Sequence, residues 1–225
     1  MPRPHRPVSP SVFIVDDHEL FSTAVETMLR SRGIPAVRAH SLIPQDVLAQ
    51  AAELQPSLVL LDLDLGTDPE GRPLDGVSLA RNLSRDGWQV LLVTGSTERP
   101  RIAEAIAAGA GAWLSKSVPF EELIYAILDG FAGRPMMDPK ERQSLLAEHR
   151  ALQAQRRSTS QMFNQLTKRE RQVLDALVEG KRAKVIAAES YVSIATVRSQ
   201  IRSILAKLNV KSQLEAVALV KSQEG

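Results

Sequence analysis

Five short apolar runs alternate with five helical patterns across the first 133 residues. The clearest run, SLVLLD, occupies Ser57–Asp62 and is apolar until it ends in a carboxylate. Such a run is typical of a strand buried on both faces of a parallel sheet. Because parallel strands need helical crossovers, the alternation predicts an α/β fold with a doubly wound five-stranded parallel sheet. Ligands of such sheets bind at the carboxyl ends of the strands, where Asp62 would lie.

The remaining elements of this region follow the same alternation, with Gly and Pro ending the helical patterns. The polar, Gly/Pro-rich segment 66–76 is predicted to be a loop. The other predicted strands are Ser11–Asp16, Ile34–Ala39, Gln89–Thr94 and Ala112–Ser115. The predicted helices begin at or near Glu19, Pro44, Val77, Ile102 and Phe120.

The composition excludes several classes of site. The chain has no cysteine, so disulfides, thiolate metal sites and cysteine nucleophiles are ruled out. No apolar run approaches the roughly 20 residues that a membrane span requires. Residues 1–11 are basic and Pro-rich without an apolar centre, which indicates a loose tail rather than a secretory signal. We therefore expect a cytoplasmic protein with no membrane partner.

Charge is unevenly distributed along the chain, although the total is only +2. An acidic first part joined to a basic last part indicates two domains with different partners, and nucleic acid is the first candidate partner for the basic one. The net charges are −6 for residues 1–133, +3 for 134–162 and +5 for 163–225. The predicted divisions are a domain at 11–133, a helical linker at 134–162 and a second domain at 163–225.

The final third of the chain has only helical patterns. Asp138–Arg157 lacks Gly and has no Pro after its second residue, which favours a helix, and Ser158–Ser160 is predicted to be a flexible joint. Thr167 and Glu170 have the spacing of a capping box, and Ser193 is placed to cap a longer helix. Four short helices joined by tight turns predict an all-α helix-turn-helix domain.

Functional side chains follow four of the predicted strands. Asp16 and Asp17 end the first, and Asp62, Thr94 and Lys116 end three others. Strand ends of a doubly wound sheet meet in one crevice. Carboxylates without a cysteine or histidine cluster suit a hard cation, most naturally Mg²⁺. With that cation, Lys116 and the Thr94 hydroxyl could bind a phosphoryl group, and Asp62 would be the nucleophile that forms an acyl phosphate.

Simpler structural roles exist for the same side chains. Asp17 could be a helix N-cap, and Thr94 could cap the turn that follows its strand. His18 and His40 are isolated histidines, for which solvated or capping roles are favoured over metal ligation.

Residues 11–133 resemble the receiver domain of bacterial response regulators. The matching motifs are VDD at Val15–Asp17, LLD at Leu60–Asp62, VTGS at Val93–Ser96 and GAWLSK at Gly111–Lys116. The resemblance implies that Asp62 is the phosphoacceptor and that Mg²⁺ is held by Asp16, Asp17, Asp62 and the backbone carbonyl of Asp64. It also implies that Thr94 senses the phosphoryl group, that Lys116 is its ion-pair partner, and that Trp113 occupies the position of a switch aromatic residue.

The sequence departs from the receiver pattern after the phosphoacceptor. Asp64–Gly76 is longer and more acidic than the usual loop and lacks its Met-Pro pair. Ser117 stands where Pro is frequent, and Trp113 is bulkier than the usual Tyr or Phe. These departures bear on the switching mechanism and the phosphorylation rate more than on the fold, and Trp113 could equally be a packing residue.

The basic segment carries a candidate DNA-reading helix. In a helix-turn-helix the second helix lies in the major groove, and the N-terminal part of its exposed face reaches base edges. On the helix after Ser193 this face carries Arg198, Ser199 and Arg202, and Arg can bind guanine in a bidentate manner. A solvated basic face is the alternative interpretation. The candidate phosphate contacts are Lys181, Lys184, Thr196 and Lys207.

Residues 164–221 resemble the LuxR-type helix-turn-helix, which places the whole chain near the NarL/FixJ class of response regulators. The resemblance rests on LTKRERQVLDALVEGK and on VSIATVRSQIRSILAKLNV. Val185 stands where Glu is usual, Gln200 where His is usual and Ser190 where a core Leu is usual. The Ser190 change is expected to loosen the domain core, because burying a polar group without a partner costs roughly 1–3 kcal/mol.

The combined pattern predicts a response regulator of a two-component system rather than an enzyme with an external substrate. A sensor histidine kinase would phosphorylate Asp62, and a homodimer would then bind double-stranded DNA. Its DNA-bound contact is predicted on the fourth helix, Ser212–Val220.

Two alternatives remain at the level of sequence. The protein could bind DNA independently of phosphorylation and use the receiver only for dimerisation. It could also be a haloacid-dehalogenase-type phosphatase, since Asp62 and Asp64 match the nucleophile and general acid of that family.

Overall fold

The computed structural model describes residues 10–224, so the predicted loose tail lies almost entirely outside the described residues. The chain divides into two compact units, one ending at Arg150 and one beginning at Ala151. The predicted domain limits at 133 and 162 fall on either side of this division. Within the described range, no helix has the length and apolarity that crossing a bilayer requires.

Unit 1 is built on a five-stranded parallel sheet with the order β2-β1-β3-β6-β7. The predicted doubly wound α/β fold is therefore confirmed. The central strands β1 and β3 are buried along their whole length because helices cover both faces. The strands are β1 Val12–Val15, β2 Ala36–Arg38, β3 Leu58–Leu61, β4 Asp64–Thr67, β5 Pro73–Asp75, β6 Gln89–Thr94 and β7 Ala112–Ser115.

Five helices of unit 1 cover the sheet from its two sides. One core cluster packs α2, α3 and α4 against one face, and a second packs α1 and α5 against the other. Alternate residues of β1 divide between the clusters, with Phe13 in the first and Ile14 in the second. The helices are α1 Glu19–Ser31, α2 Pro44–Glu53, α3 Gly76–Arg85, α4 Arg99–Ala108 and α5 Phe120–Phe131.

The predicted loop at 66–76 is wrong in part, because the segment after β3 forms an antiparallel β-hairpin of β4 and β5. Asp64 lies opposite Asp75, and Thr67 lies opposite Pro73. Leu63 and Leu65 anchor the hairpin and are almost fully buried. The Asp75 side chain then accepts hydrogen bonds from two backbone N–H groups and caps α3.

A long helix, α6, covers Pro139–Asn164. Its first part packs on unit 1, where Leu145 is fully buried in the core. Arg142 donates hydrogen bonds to the carbonyl oxygens of Ala110 and Gly111 at 2.9 and 2.7 Å. These contacts make the beginning of α6 part of unit 1.

Two ion pairs join α6 to α4 within unit 1. Arg99, at the beginning of α4, lies 3.0 Å from the carboxylate of Glu141 and 2.8 Å from that of Glu148. The pairing raises the pKa of Arg99, with Glu148 as the main cause, and lowers the pKa of Glu148. All three side chains are exposed, so salt screens the pairs.

The flexible joint predicted at Ser158–Ser160 is wrong, since α6 continues through it. Thr159 is buried, and its hydroxyl donates a hydrogen bond of 3.0 Å to the backbone carbonyl of Gln155. Hydroxyl residues inside helices bond in this way or point to solvent, and Ser158 and Ser160 are exposed. The three hydroxyl residues are therefore compatible with an uninterrupted helix.

Unit 2 is all helical around one small core. Both predicted caps are present: Thr167 and Glu170 form a capping box, and the Ser193 hydroxyl accepts from the backbone N–H of Thr196 at 3.0 Å. Ser190 is only partly buried at the end of its helix, so the full burial on which its expected effect on the core rested is not observed. The helices are α7 Lys168–Val178, α8 Ala183–Glu189, α9 Ile194–Lys207 and α10 Gln213–Glu224.

Candidate functional site

Three charged side chains from three different strand ends converge at the carboxyl edge of the sheet. Lys116 Nζ donates to Asp62 Oδ2 at 2.5 Å and to Asp16 Oδ1 at 2.8 Å. The side chains of Asp62 and Asp16 are 1% and 3% exposed, and that of Lys116 is 13% exposed. The structure therefore brings together three of the residues that the strand-end pattern predicted as neighbours.

The cluster of Asp16, Asp62 and Lys116 has two acidic side chains and one basic side chain. Burial raises the pKa of Asp16, although hydrogen bonds from Lys116 and from the His18 backbone act in the opposite direction. For Lys116, burial acts to lower the pKa, but hydrogen bonds to Asp16 and Asp62 outweigh it and raise the pKa overall. Two buried carboxylates share one ammonium, so a further positive charge would be stabilised there.

Asp17 and His18 complete the cluster on its solvent side. His18 Nδ1 lies 2.6 Å from Asp17 Oδ1, and its backbone N–H donates to Asp16 Oδ1 at 2.7 Å. His18 is the N-cap residue of α1, but its side chain makes no capping hydrogen bond. The Asp17 cap and the His18 side-chain cap are therefore not observed, whereas the His18 side chain is largely exposed, as its solvated role requires. The sequence signal for His18 was its position directly after the two acids.

The donor set fits a divalent cation. Asp16, Asp17, His18 and Asp62 each offer one ligand atom, and these atoms lie within 4.8 Å of one another. Carboxylate oxygens are the ligands that Mg²⁺ prefers. The described residues therefore provide a place for the metal that the sequence predicted.

Asp64 faces the cluster with its backbone rather than its side chain. Its N–H donates to Asp62 Oδ1 at 3.0 Å, while its carboxylate pairs with Arg101. Arg101 also donates to the carbonyl oxygen of Leu63 at 2.5 Å. Sequence analysis missed this arginine because only the tertiary fold places α4 beside the residues that follow β3. The predicted ligand role of the Asp64 carbonyl stays a prediction.

Thr94 and Trp113 occupy the strands next to β3. Thr94 is fully buried at the end of β6, and its hydroxyl oxygen accepts a hydrogen bond of 3.1 Å from the Ser96 N–H, as the alternative turn role requires. Trp113 is partly buried on β7 and packs against the core on the α2–α4 side. Their predicted sensing and switching roles stay predictions.

The exposed face of α9 in unit 2 carries the predicted base-reading residues. Arg198, Ser199 and Arg202 are exposed, whereas the buried stripe of the same helix includes Val197 and Ile201. Thr196 is exposed at the beginning of α9, and Lys184 is exposed on α8. The arrangement gives unit 2 a basic surface with hydroxyl groups at its edge.

Two of the predicted phosphate contacts have partners inside unit 2. Lys207 Nζ lies 2.6 Å from Glu170 Oε2, and hydrogen bonds from Lys207 and then Ser203 lower the pKa of Glu170 to about 2. This ion pair argues against the predicted phosphate contact of Lys207. Lys181 lies 2.9 Å from the carboxylate of Glu189 and 3.0 Å from that of Glu179, and hydrogen bonds to Glu189 and then Glu179 raise its pKa.

Comparison with known proteins gives matches to both units. The response regulator receiver domain matches residues 12–128, and the luxR family of bacterial regulatory proteins matches residues 164–220. The transcriptional regulatory protein DesR of Bacillus subtilis is 28% identical over 213 residues, covering 95% of this chain and 97% of DesR. The response regulator VraR of Staphylococcus aureus is 26% identical over 208 residues, covering 92% and 93%.

Solved structures agree in fold. The response regulator RcsB of Salmonella typhimurium matches with a TM-score of 0.51 at 19% identity, covering 95% of this chain and 99% of RcsB. A complex of RcsB with DNA matches with a TM-score of 0.50 at 19% identity, covering 95% and 98%.

The receiver match alone spans more than half of the 225 residues. Relatives that match nearly the whole chain are transcriptional regulators, so the haloacid-dehalogenase alternative is not supported, and the family is not one of typical enzymes. The chain therefore belongs to the two-component response regulators, with a receiver domain followed by a LuxR-type DNA-binding domain.

Proposed function

We propose that Asp62 accepts a phosphoryl group from a sensor histidine kinase and that this modification controls DNA binding by unit 2. The observation that carries the proposal is the convergence of Asp62, Asp16 and Lys116 at one sheet edge. In this proposal an Asp62 oxygen attacks the phosphorus of the donor, an acyl phosphate forms, and the bond from phosphorus to the histidine nitrogen breaks.

In this transfer the hydrogen bond that Lys116 donates to Asp62 Oδ2 must be replaced by one to the phosphoryl group. Its ammonium contacts Asp62 Oδ2 in the unmodified protein, whereas Oδ1 accepts from the Asp64 N–H. Lys116 remains beside the carboxylate and moves its hydrogen bond to an oxygen of the phosphoryl group. The Thr94 hydroxyl would bind another of these oxygens.

Asp16, Asp17 and Asp62 would hold Mg²⁺ together with the Asp64 carbonyl. When bound, this cation offsets the negative charge that develops on the transferred group. The only chemistry assigned to the protein is this acceptor reaction and the hydrolysis of its own acyl phosphate.

The output would be sequence-specific binding of a homodimer to double-stranded DNA. Arg198, Ser199 and Arg202 would contact base edges, and Thr196 and Lys184 would contact phosphates. In support, these side chains are exposed, and the RcsB structure of similar fold is a DNA complex. The contact between DNA-bound copies would lie on α10, where Leu214 is exposed.

Labelling with acetyl phosphate in the presence of Mg²⁺ tests the acceptor. We expect Asp62→Asn to abolish labelling, because the amide is not a nucleophile under these conditions. Asp64→Asn is the matched control: it makes the same chemical change two residues away, on a side chain that faces Arg101, and should still be labelled. Labelling of the Asp62→Asn protein would reject the proposal.

The second candidate function is DNA binding that does not depend on phosphorylation, with the receiver used for dimerisation. The hairpin of β4 and β5 favours it, since it adds structure directly after the acceptor. Titration of DNA affinity with and without the phosphodonor separates the two functions. Equal affinities in a fully labelled protein would favour the second.

A further inference from the structure

We propose that His18 is a side-chain ligand of the divalent-cation site and that the site therefore takes a nitrogen-binding cation such as Zn²⁺ in addition to Mg²⁺. The inference deepens the proposed function, on which it rests only for the presence of a cation site. His18 is not one of the strand-end carboxylates from which the cation site was predicted.

The distances within the cluster suit one shared cation. His18 Nδ1 lies 2.6 Å from Asp17 Oδ1, 3.5 Å from Asp16 Oδ1 and 3.8 Å from Asp62 Oδ2. Ligand atoms about 2.1 Å from an octahedral cation are about 3.0 Å apart when adjacent and about 4.2 Å apart when opposite. The shortest separation around Nδ1 is below the adjacent value and the other two lie between the adjacent and opposite values, so small side-chain adjustments would bring the four atoms onto one ion.

Contacts at Nδ1 are chemically incompatible without such an ion. Nδ1 lies 2.6 Å from a carboxylate oxygen of Asp17, which can only accept, and 3.0 Å from the Lys116 ammonium, which can only donate. One ring nitrogen cannot donate to the first and accept from the second at the same time. A cation resolves the conflict, because the lone pair of Nδ1 and the Asp17 oxygen then bind the same positive charge.

The chemistry of the ligand atoms decides which cation the site binds more tightly. Carboxylate and carbonyl oxygens suit Mg²⁺, whereas imidazole nitrogen suits Zn²⁺ and its first-row neighbours. His18 supplies this nitrogen among three carboxylates, and its side chain is 63% exposed, so an ion can reach it from solvent. Replacing it therefore changes the selectivity of the site.

Calorimetric titration of the full-length, tag-free protein with Zn²⁺ and with Mg²⁺ tests the proposal. We expect His18→Gln to lower the ratio of Zn²⁺ affinity to Mg²⁺ affinity by about tenfold or more. His40→Gln is the matched control, because His40 is also exposed in unit 1 but lies outside the cluster. It should leave the ratio unchanged.

A second measurement observes the ligand atom directly. The chain has four histidines, so the ring nitrogen resonances are few, and the His18→Gln spectrum assigns those of His18. Saturation with Zn²⁺ should shift the Nδ1 resonance of His18. An unchanged affinity ratio in His18→Gln, or Zn²⁺ saturation without a shift at Nδ1, would overturn the proposal.

Neither measurement requires phosphorylation. A protein that binds Zn²⁺ through His18 but takes no phosphoryl group would reject the proposed function and leave this inference standing. A protein that is phosphorylated normally, but whose His18 resonances ignore Zn²⁺, would do the reverse.

Discussion

Replacing Gly76 with alanine should destabilise unit 1 and disturb the acceptor strand. Gly76 is the first residue of α3, and a Cβ at this position would lie 2.7 Å from the Leu63 carbonyl oxygen, 2.9 Å from Leu63 Cα and 3.0 Å from the Asp62 carbonyl oxygen. All three atoms belong to the backbone that follows β3, so no flexible side chain can move aside. Relief of the clash must displace α3 or the peptide next to Asp62.

Two effects of opposite sign set the magnitude. Alanine is favoured over glycine inside a helix by up to about 1 kcal/mol, and less at the first helical position. Added volume in a close-packed site typically costs about 1–3 kcal/mol. Because the contacts are rigid, the clash outweighs the helical preference, and we expect a net loss of about 1–2 kcal/mol.

Urea unfolding followed by tryptophan fluorescence measures this loss. Both tryptophans, Trp88 and Trp113, lie in unit 1, so the signal reports this unit alone. With a slope of about 2 kcal/mol/M, the midpoint should fall by roughly 0.5–1 M. Gly95→Ala is the matched control, since its Cβ would meet nothing within 4 Å, and its midpoint should hardly change. A Gly76→Ala protein as stable as the wild type would refute the reasoning.

Three further predictions follow from contacts described above. Leu145→Ala should destabilise unit 1 by about 2–5 kcal/mol in the same fluorescence assay, because the side chain is fully buried; no change would mean that α6 does not contribute to this core. Glu170→Gln should lower the free energy of unfolding of unit 2 by about 2 kcal/mol. This value is smaller than the full pKa shift would give, because the Lys207 side chain is 31% exposed and solvent screens the pair. The loss should reduce amide protection in α7 and α9 near neutral pH. Since the folded pKa of Glu170 lies below its ordinary value, the stabilisation is present above pH 4.5 and is lost as the pH falls towards 2, where variant and wild type should converge; a constant difference would contradict the ion pair. Arg101→Met should leave the Asp64 carboxylate and the Leu63 carbonyl without their partner and change the acetyl phosphate labelling rate, whereas an unchanged rate would show that this contact does not position the acceptor.

Periodicity predicted the sheet of unit 1 well, because strands buried on both faces leave continuous apolar runs. The same rule failed after Asp62, where the Gly and Pro content of 66–76 obscured a hairpin. Leu63 and Leu65 do alternate with polar residues, but two buried positions are too few to distinguish a short strand from a loop.

Side-chain roles were less predictable than elements. Strand-end position sufficed to predict that Asp62 and Lys116 lie together, because a parallel sheet gathers its carboxyl ends at one edge, while their roles stay predictions. The phosphate contact of Lys207 stays a prediction, but the sequence did not reveal its ion pair with Glu170, which lies 37 positions away. His18 was set aside as isolated, since its contact with Lys116 joins residues 98 positions apart.

Helix α4 carries Arg99 and Arg101 on nearly opposite sides of its first turn, and each arginine bonds to a different part of unit 1. Arg101 holds the peptide after the acceptor, and Arg99 holds Glu141 and Glu148 on α6. A ten-residue helix moves as a rigid body. A shift of α4 that breaks the contacts of one of these arginines would therefore also distort the contacts of the other. Raising the ionic strength would weaken the exposed ion pairs of Arg99 with α6 first. Helix α4 would then still be bonded, through Arg101, to the peptide after the phosphoacceptor.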